Sequence, residues 1–367
     1  MRKLVTAVIA SMLLLLSGCS GTNIGAQAYA VSMGIDLIDG GRVEVSVQMP
    51  TLSGGGNAEG SGSGGSKGYT FASAAGDTLT EALETLNATV PRALNLTGVK
   101  SIIVSRRMAQ DNMFREVLEE LALAYRVYGA AELIVCAGEA KSFIEEQKAV
   151  IGQRVSESIS VSLDHYRKAG IIPSAKAADV FYLSRSMYGD PAAVLAAAEG
   201  EEQEEGYAGS LDVSGDGMNQ YHGAALFADG RMVGKLTGTQ TQLLNVMLGN
   251  LPEFSWVVDG VPVRIISSRP RVSIELSGEV PEIEVELRFQ MMESKGGLNS
   301  SRLEEVMLER LNEMTEYCQS VGTDPFRYAE YAVRHFLTVE KWLEYNWREQ
   351  FANAEIRYRV NAEQSEL

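Results

Sequence analysis

The sequence predicts an α+β protein, with mixed and antiparallel sheets flanked by helices, in at least two domains behind an N-terminal signal segment. Three observations carry this. Runs such as Arg42-Val43-Glu44-Val45-Ser46-Val47-Gln48-Met49 alternate with period two, the mark of a half-buried strand. Between such runs lie stretches with apolar residues at helical spacing, such as Leu79, Ala82, Leu83, Leu86 and Val90. The chain opens with Met1-Arg2-Lys3, an apolar run from Leu4 to Leu16, and Ser17-Gly18-Cys19.

Two positive charges before about a dozen apolar residues are the layout of a secretory signal. Leu16-Ser17-Gly18-Cys19 resembles the lipobox of bacterial lipoproteins. Small residues at 17 and 18 let a peptidase approach, and the Cys19 thiol then stands at the first mature position. Residues 1–18 are therefore expected to be a lipoprotein signal peptide, and Cys19 the lipidation site. The apolar run is shorter than the roughly 20 residues that span a bilayer. Two acyl chains give stable anchoring where one is marginal.

The 367 residues are 45% hydrophobic, enough for more than one core. The net charge is −16, and loss of Arg2 and Lys3 makes the body more acidic still. Such a surface is a poor partner for nucleic acid or anionic lipid. Besides Cys19 there are Cys136, in the apolar run Ala131 to Cys136, and Cys318, in a helical stretch. Both read as separately buried thiols.

The N-terminal domain is expected over 19–198. Ala28 to Leu37 reads as a strand interrupted by Gly34. Asp39-Gly40-Gly41 turns it into the alternating strand that Pro50 ends. Residues 53–68 are Gly/Ser-rich and lack the Gly-Lys-Ser/Thr ending of a phosphate loop, so they read as a flexible loop. Tyr69 to Ala72 reads as a short strand, and Thr78-Leu79-Thr80-Glu81 as a capping box. Strands follow at Val99 to Val104 and Leu133 to Cys136, and helices at Asp111 to Leu121 and Glu139 to Gln147. This alternation predicts a sheet covered by helices on one side. Helices are then expected over Leu163 to Lys168, over Ala175 to Met187 with Ser174 as cap, and after Pro191.

Residues 199–219 read as an acidic, Gly-rich linker, because the five glutamates between Glu199 and Glu205 repel one another and stay solvated. Asp212 to Gly217 mimics the first half of a calcium loop, but the twelfth position is Gly223 where a Glu is needed. The C-terminal domain is expected over 220–362. It holds hairpins through Asp229-Gly230 and Asp259-Gly260, strands at Val272 to Leu276 and Ile283 to Met291, and a long helix capped at Ser301 and ended by Gly322. Helices at Pro325 to His335 and Val339 to Gln350 and a strand from Ala354 to Val360 complete it.

No catalytic constellation stands out. His165, His222 and His335 lack metal-ligand spacing, and no nucleophile or zinc motif is present. The expectation is a protein with no catalytic, cofactor-binding or metal residues and no cofactor. Trp342, Trp347 and Phe351 fall roughly on one side of a helix, where core packing outweighs ligand binding.

Several stretches in order carry a resemblance: Cys19; Val31-Ser32-Met33-Gly34-Ile35-Asp36; Gln48-Met49-Pro50; Gly223 to Phe227; Val233-Gly234-Lys235-Leu236-Thr237; Asp324-Pro325-Phe326; and Trp342, Trp347 and Phe351. Together they resemble the C subunit of bacterial spore germinant receptors, the Ger(x)C lipoproteins. Ser20-Gly21 departs from the Trp that many members carry after the lipidated cysteine. The resemblance implies an α+β body on the outer surface of the inner spore membrane, held by its lipid. It implies integral-membrane A and B receptor subunits as partners, no catalytic residues, and a role in nutrient-triggered germination in which contact with the nutrient ligand stays open. A solute-binding lipoprotein of a transporter is the alternative, and it requires two similar lobes around a cleft.

Overall fold

The computed structural model describes residues 24–50, 69–123, 129–146, 155–198, 200–202, 204–212, 219–292 and 298–365. The signal segment with Cys19, the Gly/Ser-rich run, and residues 199, 203 and 213–218 of the expected linker lie outside them, as does most of the calcium-loop mimic.

The expected first hairpin forms: β2 (Ser32–Ile38) and β3 (Arg42–Pro50) pair antiparallel, with Ile35 opposite Val45. A short β1 (Gln27–Tyr29) pairs with β5 (Ala93–Asn95) beside them. β4 (Tyr69–Gly76) extends the sheet from β3. On the other side of β2 follow three parallel strands, β6 (Ser101–Ser105), β7 (Glu132–Cys136) and β8 (Ala192–Ala197). The hairpin β9 (Gln220–Ala228) and β10 (Arg231–Leu236) completes it, giving the order β10-β9-β8-β7-β6-β2-β3-β4. β6 and β7 are buried at every residue, so they read as apolar runs with no alternation.

Helices cover both faces of this sheet, where the sequence predicted one. Val43 and Glu44 of β3 point to opposite faces. Gly76, the partner of Val43, lies against the first turn of α1 (Leu79–Thr89), whereas Glu44 binds Lys141 of another helix at 2.6 Å. The helix after Pro191 is replaced by β8, since pairing with β7 and β9 overrides alanine's helix preference. The hairpin expected in the C-terminal domain thus belongs to the first sheet. Two short helices, α2 (Arg106–Gln110) and α3 (Met113–Leu123), follow β6, and the first was not foreseen. Next come α4 (Ala140–Glu146), which carries Lys141, α5 (Val155–Lys168) and α6 (Ala177–Arg185). α6 begins after Lys176 with no side-chain cap, so Ser174 is not its cap.

The described part of the acidic linker is docked rather than free. Glu202 accepts from Arg106 at 2.9 Å and from Lys235 at 2.8 Å. Lys235 Nζ also lies 4.0 Å from the ring centre of the buried Tyr207. Two distant cations, Arg106 at the start of α2 and Lys235 in β10, offset the repulsion that the sequence showed alone.

After α7 (Gly238–Met247), the second sheet runs β11 (Phe254–Val258), β12 (Val261–Glu275), β13 (Glu282–Met292) and β14 (Glu355–Ser365). β12 is one strand where two were expected. A bulge between Ile265 and Ser267 shifts its alternation and hides the continuity. β14 pairs parallel to β13, reached by a crossover through α8 (Ser300–Ser320). Asn299 caps α8 through its side-chain oxygen, which accepts from Arg302 N–H at 2.8 Å, so the cap lies two residues before Ser301. After the single turn α9 (Ala329–Ala332), the helix expected from Val339 to Gln350 is two, α10 (Val339–Tyr345) and α11 (Trp347–Ala352). Asn346, at φ 50°, breaks it.

There are two hydrophobic cores, and β9 walls both. Tyr221, Ala225 and Phe227 face the first, and Ala224 and Leu226 the second. Cys136 and Cys318 are free and buried, one in each.

Candidate functional site

Two of the stretches that carry the resemblance resolve into caps. Asp36 ends the Gly34-Ile35-Asp36 stretch of β2 and accepts from the backbone of Ala140 at 2.7 Å and of Lys141 at 2.8 Å, capping α4. Burial pushes its carboxyl above the usual range, against those two N–H donors. Gly34 is required there because a side chain would meet Ile144 and the Ala140 backbone, at 2.8 and 3.3 Å. Thr237 forms a full capping box with Gln240 on α7.

The site with the most concentrated chemistry lies where the two halves meet. Asp190, before β8, and Asp324, after α8, exchange hydrogen bonds. Asp324 N–H donates to Asp190 Oδ2 at 2.9 Å, and Asp190 N–H to the Asp324 carbonyl at 3.0 Å. Asp324 Oδ2 also accepts from Ala329 N–H at 2.9 Å and from the Trp347 indole N–H at 3.0 Å, and Oδ1 accepts from Tyr328 N–H at 3.2 Å. Arg348 spans the junction, donating to Asp190 Oδ1 at 2.8 Å and to Asp229 in the β9–β10 turn. Thr323 Oγ1 adds a bond to the Phe227 carbonyl of β9 at 2.7 Å.

Burial dominates the electrostatics here. It lifts the Asp324 carboxyl to about 7, with the three N–H donors pulling down and Asp190 adding to the rise. Asp190 is raised for the same reason, although Arg348 opposes it. One guanidinium thus serves a junction of three carboxylates. Beside it opens a cavity of about 350 Å³ lined by Arg115, Ser184, Asp229, Trp342 and Leu343 among others. Five of the bonds at the junction join the halves and three hold Asp324 within its own, so the arrangement binds strand to helix.

Trp342, Trp347 and Phe351 are buried; Trp342 stacks on Trp347 with ring centres 5.9 Å apart and Phe351 lies tilted against Trp347 at 6.1 Å, so core packing is their role. The structure adds that Trp347 also holds Asp324. The three histidines remain apart: His165 on α5, His222 on β9 and His335 in the turn after α9. Burial lowers the His222 imidazole below its ordinary value. Among the described residues, no three His, Cys, Asp or Glu side chains converge as a metal group. Sequence reasoning missed Asp190, Asp229 and Arg348. Asp324 was visible only as part of Asp324-Pro325-Phe326, where a carboxylate ahead of a helical turn signals a cap.

Two unlike sheets, whose cores are both walled by β9 and which a buried carboxylate junction locks together, define a two-part α+β scaffold. The chain belongs to the spore germination GerAC family, the C subunits of germinant receptors. Residues 21–197 match the model of the spore germination protein N-terminal domain, and residues 222–365 that of the spore germination B3/GerAC-like C-terminal domain. The crystal structure of the GerBC protein has the same fold, with a TM-score of 0.54 at 12% identity over 91% of this chain and 97% of that one. No curated protein matches the chain.

Proposed function

We propose that this chain is the lipid-anchored, non-catalytic C subunit of a nutrient germinant receptor, working with integral-membrane A and B subunits on the outer face of the inner spore membrane. The observation that carries this is the pair of family matches, which follow one another through both halves of the chain. Cys19 is its lipidation site in this reading. No helix among the described residues is long and apolar enough to cross a membrane. Gln27 in β1 is eight positions beyond Cys19, a reach of at most about 28 Å, so the body works close against the bilayer. The division into domains on either side of residues 199–219 belongs to the same proposal, with the β9–β10 hairpin reaching back into the first sheet. The transporter alternative requires similar lobes, and sheets of eight and four strands do not provide them.

The test is a deletion strain complemented with variants. Deletion should abolish the response to one set of nutrients while spores still form. Cys19→Ala should lose the lipid label and wash off the membrane in salt. Full germination in the deletion strain, with every nutrient tried, would rule the reading out.

A further inference from the structure

Six of the eight large apolar side chains that stay exposed among the described residues lie on two short stretches. Tyr182 and Met187 stand at the end of α6, and Tyr331, Leu337, Val339 and Leu343 from α9 through α10. Leu337 is 94% exposed and Val339 63%. Val339 and Leu343 are four apart on α10, hence on one face. Trp342, between them in sequence, is buried against Phe336, Tyr345 and Trp347. Met187 and Leu343 both line the 350 Å³ cavity, so the two stretches meet at its mouth. Single exposed apolar residues need no explanation, but a cluster beside a concavity marks an interaction surface.

Charge at the mouth narrows the partner. Arg115 and Arg185 line the same cavity and share one carboxylate: Glu119 is 2.8 Å from Arg185 but 3.7 Å from Arg115. Arg348 is already engaged by Asp190 and Asp229. The mouth therefore has a guanidinium to spare beside an apolar rim.

We propose that this rim and Arg115 form the docking surface for a segment of another protein, which puts an apolar side chain into the cavity and a carboxylate on Arg115. The inference rests on the receptor reading and assigns that segment to the A or B membrane subunit. A lipid surface fits less well, because Glu340 and Glu344 flank the stripe and the chain carries −16.

The experiment places a photoreactive phenylalanine analogue at Leu337, Leu343 or Met187 of the full chain in spores. Val161 and Val257, the two exposed apolar residues elsewhere, serve as controls. Met187 and Leu343 at the rim, and Leu337 on the same stretch as Leu343, should crosslink to an A or B subunit, and the controls should not. Leu343→Glu and Arg115→Glu should each cut crosslink yield and germination rate at least about tenfold, at unchanged thermal midpoint and membrane retention. Crosslinks to lipid, to a second copy or to an unrelated protein would overturn the assignment, as would no crosslink at all. So would normal germination of Leu343→Glu in a strain where deletion abolishes the response. Normal germination of the deletion strain itself instead removes the receptor reading.

Discussion

The two sheets meet the same demand, burial of apolar side chains, in opposite ways. In the first, Ile102 and Ile103 are neighbours pointing to opposite faces, and both are buried. In the second, Phe289 is 1% exposed while Gln290 beside it is open to solvent. A parallel centre with helices on both faces leaves no wet side, whereas the mixed second sheet keeps one. The comparison teaches that alternation in a sequence reports how many faces a strand buries, not whether it is a strand.

The largest expected effect tests that contrast directly. Ile102→Asp and Ile103→Asp should both unfold the protein, since either carboxylate is buried without a partner. In the second sheet Phe289→Asp should do the same. Circular dichroism of the purified variants checks this, and a folded Ile102→Asp protein would break the two-faced account.

Next in size is a pH effect that separates the junction from the sheets. An unfolded Asp titrates near 3.9, and Asp324 in the folded chain near 7. The folded state therefore holds the extra proton between these values. Asp324 favours folding most below about pH 4, and that contribution is lost as pH rises to about 7, with a slope of up to about 1.4 kcal/mol per pH unit. Glu202 runs the other way: burial raises it, but Lys235 and Arg106 outweigh burial and bring it to about 2. Its contribution is present above about pH 4.5 and lost as pH falls toward 2. Urea midpoints from pH 3 to 8 should fall above pH 4 in the parent and flatten in Asp324→Asn. An unchanged slope in that variant would assign the effect to another group.

A smaller loss is expected at the same place from Arg348→Met. Removing one partner of a buried pair costs roughly 3–5 kcal/mol, but this guanidinium is 39% exposed, so about 2 kcal/mol is expected in urea unfolding. The smallest effect closes the comparison. Gln290→Asp, on the wet face of β13, should change stability by no more than about 0.5 kcal/mol, where its buried neighbour tolerates no charge.

Much of the fold was legible because its signals are local. The alternation in β3 and β13 and the Asp-Gly turns at 229 and 259, both with positive φ, needed only neighbouring residues. What was illegible depends on distant partners. The alanine run 192–197 became a strand because β7 and β9 flank it. The glutamates of the linker lost their repulsion to Arg106 and Lys235. The junction could not be read as a junction, although Asp229 was legible as a turn residue and Asp324 as part of a quoted stretch. Asp190, Asp229, Asp324 and Arg348 come from four separate stretches, and no periodicity encodes which carboxylate an arginine will meet.

The strand shared by both cores has a mechanical consequence. Ala224 and Ala225 are adjacent in the chain but face different interiors, so neither interior can open without stripping cover from the other. Melting should then be a single transition despite two cores, with β9 amides exchanging with solvent only when the whole chain opens. A displacement imposed on one half is carried by that strand into the other, which makes the molecule a lever rather than two beads on a string.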